Sequence, residues 1–324
     1  MACPGCRAEH YLNCWDRGID RLMFMTLHGK VLPQQMNRTT RKHHRNPRKL
    51  IMINRYAVIG NPVSHSQSPF IHSEFASATG ESIQYEKLFA ELGKFDEVVG
   101  EFVRAGGLGL NVTLPFKGDA FRMAQEVTER ARAAEAVNTL TFRDGKVFGD
   151  NTDGVGLVRD IVENLDFPME GKSILILGAG GAVRGVLEPI LEQKPARVTI
   201  ANRTLIKAES IAHHFAPWGE VVASGYEALE GKTFDIIING TSTSLHNEIP
   251  PLPANIFTAR TLAYDMVYSK GLTPFLKRAQ SENAGMLADG LGMLVEQAAE
   301  SFHIWRGVQP DTRKVTNMLR EVLA

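Results

Sequence analysis

From Met52 onward, short apolar runs alternate with amphipathic stretches, and the rhythm switches repeatedly between strand and helix periods. Residues 56–60, Tyr-Ala-Val-Ile-Gly, read as a short buried strand, and Asn61-Pro62 turns the chain. Ser68 suits a helix N-cap and Pro69 the first helical position. Phe70, Ile71, Phe75 and Ala76 then share one face, and Gly80 stops the helix. Strands are predicted at 85–89, 107–112, 137–142 and 146–149, with a helix through Val98, Val99 and Phe102 and helical segments across 118–136. One helix is predicted over 154–165, where Val155, Leu157, Val158, Ile161, Val162 and Leu165 are apolar. Further strands fall at 173–177, 197–201, 234–239 and 261–267, and the chain ends in helices over 291–305 and 311–323. Strands alternating with helices imply a mainly parallel sheet. The 324 residues suffice for two α/β domains with a ligand cleft between them.

The strand at 173–177 runs into Gly178-Ala179-Gly180-Gly181-Ala182-Val183. Glycines there let the backbone turn tightly and approach a pyrophosphate, while the next helix aims free N–H groups at the anion. Val183 occupies the third glycine position, so the motif is partial. At the end of the following strand, where an Asp or Glu would meet the ribose hydroxyl of NAD, the chain has Asn202, Arg203 and Thr204. A guanidinium grips a phosphate and a carboxylate repels one, so the cofactor reading is NADP.

Composition narrows the function classes. Net charge is zero, but residues 1–51 hold ten Lys/Arg against three Asp/Glu, which leaves the remainder acidic. An acidic body argues against nucleic-acid binding. No run of eighteen apolar residues exists, so no membrane span is predicted. All three cysteines, Cys3, Cys6 and Cys14, lie in the first segment, which fits a reducing cytoplasm and leaves the body no disulfide and no thiol nucleophile. Cys3 and Cys6 have zinc-like spacing, yet Cys14 stands alone and His10, His43 and His44 follow no ligand pattern. The segment has no signal-peptide core and no serine. It reads as a disordered extension without function, with Met52 as the true start.

Polar residues cluster where strands end, the ligand side of open α/β sheets. Ser66 and Ser68 lie at a helix N-terminus, where they either cap the helix or hold a small carboxylate. Lys117, just after a strand, is either a surface lysine or a proton donor to a carbonyl oxygen. Gly149-Asp-Asn-Thr-Asp-Gly154 lacks the later glutamate of a calcium loop, and Asp150 or Asp153 could cap the next helix. Gln297, on an apolar helix, either points inward or is a surface residue. The body offers no metal-ligand cluster.

In order along the chain stand Asn61-Pro62, Ser66-Gln-Ser-Pro69, Asn111-Val-Thr-Leu-Pro-Phe-Lys117, Ala136-Val-Asn-Thr139, Gly149-Asp-Asn-Thr-Asp-Gly154, Gly178-Ala-Gly-Gly-Ala182, Asn202-Arg-Thr204, Tyr264-Asp-Met-Val-Tyr268 and Asp289-Gly-Leu-Gly-Met293. Together they resemble the shikimate dehydrogenase family over nearly all of residues 52–324. The resemblance implies a substrate domain at 52–153, a Rossmann-like NADP domain at 154–288, and C-terminal helices at 289–324 that return to the first domain. It implies that Lys117 and Asp153 form the catalytic pair. Ser66, Ser68, Thr113 and Tyr268 would bind the substrate carboxylate, and Asn138 and Gln297 its ring hydroxyls. Gly178, Ala179, Gly180, Gly181 and Ala182 would take the pyrophosphate, and Asn202, Arg203, Thr204 and Lys207 the 2′-phosphate. Met266 and Gly290 would lie near the nicotinamide, with Glu129 a minor cofactor contact. Two positions depart from the family pattern. Gln67 stands where many members have Lys, on a side chain that need not contact substrate. Lys207 replaces a frequent Arg, keeping the charge but losing bidentate geometry.

The implied reaction is reversible, NADPH-dependent reduction of 3-dehydroshikimate to shikimate in the cytoplasm, in the pathway to chorismate and aromatic amino acids. It needs no metal, nucleic acid or membrane, and a homodimer is left open. An NAD-using quinate/shikimate dehydrogenase should carry an acidic residue after the second nucleotide-domain strand, and none is there. A metabolite sensor on the same fold would tend to lose Lys117 or Asp153, and both are present. A methylene-tetrahydrofolate-type dehydrogenase is the weakest alternative, because paired serines suit a small carboxylate better than a pterin.

Overall fold

The computed structural model describes residues 53–323; the cysteines, the histidines between positions 10 and 44 and the expected start at Met52 lie outside them. Two six-stranded sheets organise the chain. The first contains β1 (Asn54–Gly60), β2 (Ile83–Phe89), β3 (Gly107–Val112), β4 (Glu126–Val127), β5 (Thr139–Arg143) and β6 (Lys146–Asp150), in the order β2-β1-β3-β5-β6-β4. It is mixed: β1 pairs parallel with β2 and β3, β4 with β6, while β5 runs antiparallel to both β3 and β6. The antiparallel step is a hairpin closed by Asp144-Gly145, both with positive φ, the geometry of a two-residue turn. Helices α1 (Ser68–Thr79), α2 (Phe95–Arg104), α3 (Lys117–Met123) and α4 (Glu129–Ala134) connect these strands.

The second sheet is parallel throughout. Its strands are β7 (Ser173–Leu177), β8 (Arg197–Ala201), β9 (Val221–Ser224), β10 (Ile236–Asn239), β11 (Leu262–Asp265) and β12 (Met286–Asp289), ordered β12-β11-β10-β7-β8-β9. This is the doubly wound dinucleotide-fold order, with its switch point between β7 and β10. Apolar residues throughout β7 are explained by burial on both faces. Ile174 and Ile176 join one core with Val186 and Ile190, while Leu175 and Leu177 join another with Phe257 and Phe275. Helices α5 (Asp153–Arg159), α6 (Gly181–Glu192), α7 (Leu205–Phe215) and α8 (Pro274–Ser281) pack around this sheet.

After β12 the chain enters α9 (Leu291–Arg306) and α10 (Thr312–Leu323), and these turn back to the first lobe. Leu291, Val295, Ala298 and Phe302 share a core with Ile71 and Phe75 of α1 and with Val315 and Leu319 of α10. Helix α9 also lies against α5 at a very short spacing. A Cβ built at Gly156 would stand 2.6 Å from the Gln297 nitrogen and 2.8 Å from the Met293 carbonyl oxygen. Among the described residues no helix is long and apolar enough to cross a membrane.

Several expectations needed correction. The expected helix over 154–165 begins one residue earlier, and its second half, Asp160–Asn164, is a π-turn. There the buried Asp160 carboxylate accepts from Tyr264 Oη (2.7 Å) and Asn164 Nδ2 (3.0 Å). The N-cap of α1 is Gln67 rather than Ser68, with no side-chain capping bond. The expected strand at 137–142 starts at Thr139. Strands β4, β9 and β12 were not anticipated: all three are sheet-edge strands of two to four residues, without the continuous apolar run of a central strand.

Candidate active site

The turns after the strands of the first sheet converge on a cavity of about 380 Å³. Its wall contains Ser66 and Ser68 from the turn into α1, Thr113 and Lys117 after β3, Asn138 before β5, Asp153 at the start of α5, and Tyr268 beyond β11. Gln297 of α9 completes it, and Met266 and Gly290 lie on the side of the nucleotide lobe. All eight residues expected to handle substrate therefore line one cavity. A larger hollow of about 780 Å³ lies beneath α10, around Asp160, Leu276, Asp289 and Arg320, and contains none of the sequence-predicted residues.

Lys117 and Asp153 form a direct ion pair through Nζ and Oδ2. The lysine side chain is 27 % exposed and the aspartate 12 %, so the lysine is the more accessible partner of the pair, and both line the cavity. Asp153 does not act as the α5 cap: Thr152 is the N-cap residue and makes no side-chain capping bond. Asp150 is no cap either. Arg130 grips it with Nε and Nη2 at 2.7 and 2.8 Å, and Thr128 Oγ1 donates to it at 2.7 Å. Arg130 also donates to Glu300 of α9 (3.0 Å), and Arg159 pairs with the same carboxylate (2.7 Å), so this buried network ties α9 to the first lobe.

Asn138 Nδ2 lies within 2.9 Å of both Asp153 Oδ1 and Thr152 Oγ1 and 3.3 Å from Gln297 Oε1. Ser66 Oγ donates to Ser68 Oγ at 3.1 Å and accepts from the Ser68 nitrogen at 3.3 Å. Two hydroxyls and the N-terminal N–H groups of a twelve-residue helix thus face the cavity together. Burial raises the Tyr268 phenol, so it stays protonated and can donate. Gln67, expected not to need a substrate contact, lies along the same wall, as do His65, Asn111, Met293 and Leu294, which sequence reasoning did not single out.

The segment carrying Met266 and Tyr268 is held from behind. Asp265, fully buried, accepts from Asn239 Nδ2 (3.1 Å), Ser244 Oγ (2.7 Å), Thr273 Oγ1 (2.6 Å) and the Val267 nitrogen (3.1 Å). Gly290 lies directly on this segment, since a Cβ there would come within 2.1 Å of the Met266 carbonyl oxygen.

The second lobe offers a dinucleotide cradle. Gly178 ends β7 with φ +103°, a conformation that L side chains rarely adopt, and a Cβ would meet Thr241 Cγ2 at 3.1 Å. Gly180 is the N-cap residue of α6, and Gly180, Gly181 and Ala182 are exposed. A Cβ on either glycine would meet nothing within 4 Å, so the helix N-terminus opens onto free space. At the end of β8, Asn202 Nδ2 donates to the Thr204 carbonyl (2.8 Å), Thr204 is the N-cap residue of α7, and Lys207 lies in the first turn. Arg203, Thr204 and Lys207 are exposed, and the Arg203 charge reaches the Tyr226 phenol. Open N–H groups and two unshielded cations suit a phosphorylated dinucleotide. Glu129 is exposed at the first position of α4, outside the cavity, and its charge acts on Glu188 of α6.

A doubly wound nucleotide lobe facing a polar cavity with an ammonium–carboxylate pair is the architecture of a two-lobed nicotinamide-dependent oxidoreductase. Family models match along the chain: the shikimate dehydrogenase substrate binding domain over residues 58–140, shikimate/quinate 5-dehydrogenase over 158–248, and the shikimate 5′-dehydrogenase C-terminal domain over 290–320. The shikimate dehydrogenase (NADP(+)) of Chromobacterium violaceum is 80% identical over 273 residues, covering 84% of this chain and 100% of that protein. That of Laribacter hongkongensis is 64% identical over 269 residues, covering 83% of this chain and 98% of the relative. The solved shikimate 5-dehydrogenase of Thermus thermophilus, in complex with NADP(H) and shikimate, superposes with a TM-score of 0.75 at 32% identity, covering 84% of this chain and all of the other. The chain belongs to the shikimate dehydrogenase family.

Proposed function

We propose that this protein is an NADP-dependent oxidoreductase that interconverts 3-dehydroshikimate and shikimate in the cytoplasm. Its activity and cofactor follow from membership of the family and from the relatives named above. The observation that carries the reading in this chain is the meeting of Ser66, Ser68, Lys117, Asn138, Asp153, Tyr268 and Gln297 around one cavity, with Met266 and Gly290 on its nucleotide side.

The residue roles are as follows. Ser66 and Ser68, with Thr113 and Tyr268, hold the substrate carboxylate at the positive end of α1. Asn138 and Gln297 hold ring hydroxyls and so fix which carbon faces the other lobe. In the reducing direction charge gathers on the carbonyl oxygen. The Lys117 ammonium stabilises that charge and delivers its proton there. Asp153 holds the ammonium through Oδ2 and orients it towards the substrate. In the oxidising direction the alcohol proton returns to the lysine nitrogen. The nicotinamide, when bound, supplies or takes the hydride. Gly178 to Ala182 receive its pyrophosphate, and Asn202, Arg203, Thr204 and Lys207 the 2′-phosphate. Glu129 is a peripheral contact to the cofactor. The corresponding division is a substrate domain at 52–153, an NADP domain at 154–288, and returning helices at 289–324.

The test is a four-way turnover assay offering shikimate or quinate with NADP⁺ or NAD⁺. Fast turnover of shikimate with NADP⁺ alone supports the reading. Preference for quinate, or equal rates with NAD⁺, would refute it, and no turnover with any pair would point to a metabolite sensor instead.

A further inference from the structure

Asp153 touches more than the lysine. Its other carboxylate oxygen, Oδ1, accepts from Asn138 Nδ2 at 2.9 Å, and behind Asn138 lies a buried cluster of hydroxyls and amides. The amide orientations follow from groups that can only donate or only accept, and the hydroxyl protons then go to the nearest acceptors left. The Thr152 backbone nitrogen donates to Asn138 Oδ1 at 2.8 Å, so the Asn138 amide nitrogen must face Asp153. The Asn138 backbone carbonyl lies 3.4 Å from Asn111 Nδ2, so Asn111 Oδ1 must face Tyr85 Oη (2.7 Å) and His72 Nε2 (3.1 Å). Both of those groups are donors. Burial holds the Tyr85 phenol well above its ordinary value and drives the His72 imidazole down to about 3, neutral at physiological pH.

Asn111 Nδ2 therefore donates to Ser301 Oγ at 2.9 Å, and Ser301 donates to the Gln297 carbonyl at 3.0 Å, one turn back on α9. One lone pair of Ser301 remains. The hydroxyls of Thr139 and Thr152 have two protons to place. The two threonine oxygens are 3.5 Å apart, and two nearer acceptors are in reach: Ser301 Oγ (2.8 and 3.2 Å) and Asn138 Oδ1 (2.9 and 3.2 Å). One proton goes to each. Asn138 Oδ1 is then full, and Nδ2 gives its hydrogens to the two nearer acceptors, Thr152 Oγ1 and Asp153 Oδ1. Gln297 Oε1, at 3.3 Å, is left open on the cavity wall for a substrate hydroxyl.

We infer that Ser301 is a positioning residue for the reaction, acting through Thr152 and Asn138 to hold the Asp153 carboxylate against Lys117. Without its hydroxyl, the threonine protons are left with Asn138 Oδ1, which already accepts from the Thr152 N–H, and with the long 3.5 Å contact between the two threonines. The amide then turns and its grip on Asp153 loosens. This rests on the role assigned above to Asp153.

The experiment is a double-mutant cycle of Ser301→Ala and Asp153→Asn, read as kcat at saturating shikimate and NADP⁺. Ser301→Ala is expected to lower kcat about tenfold in the parent enzyme. In the Asp153→Asn background it should cost less than about twofold, with KM for NADP⁺ unchanged in both. A general loosening of the core would cost the same in either background, and that result, or no loss in the parent, overturns the inference while leaving the role of Asp153 intact. Unchanged kcat in Asp153→Asn alone would instead remove the role of Asp153, and the inference with it. If Ser301→Ala does not fold, Ser301→Cys, with a weaker donor and acceptor of similar size, goes through the same cycle against the same criteria.

Discussion

Replacing Gly156 with alanine tests whether the spacing of α5 and α9 sets the substrate site. The new methyl would stand 2.6 Å from the Gln297 nitrogen, 2.8 Å from its Cβ and 2.8 Å from the Met293 carbonyl oxygen. Comfortable carbon contacts lie at about 3.5–4.0 Å, so the helices must part by about 1 Å. Two of the three neighbours are backbone atoms, which no rotamer change can move aside. Overpacking of this kind costs about 1–3 kcal/mol, and the change from Gly to Ala within a helix returns about 1 kcal/mol. A net loss of up to ~2 kcal/mol lowers Tm by up to roughly 8 °C for a chain of this size. The kinetic effect should be larger. Gln297 Oε1 stands 3.3 Å from Asn138 Nδ2 as an open acceptor on the cavity wall, and a shift of about 1 Å carries it out of line with Asn138 and with the substrate hydroxyl. Loss of that alignment should lower kcat/KM for shikimate by ~10–100-fold. Thermal unfolding and steady-state kinetics on the same preparation decide the matter. Wild-type kcat/KM, with or without a lower Tm, would refute the claim that helix spacing positions Gln297.

Two further outcomes follow from charge and burial. Arg203→Asp replaces a phosphate donor with a repelling carboxylate, and the preference for NADP⁺ over NAD⁺ in kcat/KM should fall by ~100-fold; an unchanged ratio would show that Arg203 does not meet the 2′-phosphate. The second concerns His72, buried and shifted down to about 3 by desolvation, whereas the unfolded chain binds that proton near pH 6.5. Its contribution to stability is therefore complete above about pH 6.5 and is lost as pH falls towards 3, by up to ~5 kcal/mol. Denaturant unfolding of His72→Gln should have a flatter pH slope than wild type between about pH 7 and pH 4, and an identical slope would contradict the assignment.

The nucleotide lobe was legible because its central strands are apolar on both faces. The runs at 173–177 and 197–201 look like buried parallel strands and are so, the run at 234–239 forms one from Ile236, and the glycine turn lies at the expected junction. Strand β12, Met-Leu-Ala-Asp, was hidden because it is a half-buried edge strand whose place beside β11 comes from tertiary pairing. The first lobe was read as mainly parallel, and the antiparallel insertion of β5 was missed although Asp144-Gly145 is a hairpin signal. At the site, ordered motifs identified the residues that face the cavity. They said nothing of what supports those residues. Ser301 and Thr152 carry small hydroxyls that in one dimension look like surface or capping groups. One signal was available: Ser301 follows Gln297 by four residues, so the two share a face of α9. Asn111 is the lone polar side chain near the end of a buried strand, and its partners come from α1, β2 and α9, far away in sequence.

The most direct test of the proton chemistry is the steady-state kinetics of Lys117→Ala with shikimate and NADP⁺. The ion pair with Asp153 and the place of Lys117 on the cavity wall predict that kcat falls by ~10²–10⁴-fold while KM for shikimate changes only a few-fold. A variant that keeps its kcat and loses only substrate affinity would make Lys117 a binding residue and contradict the account.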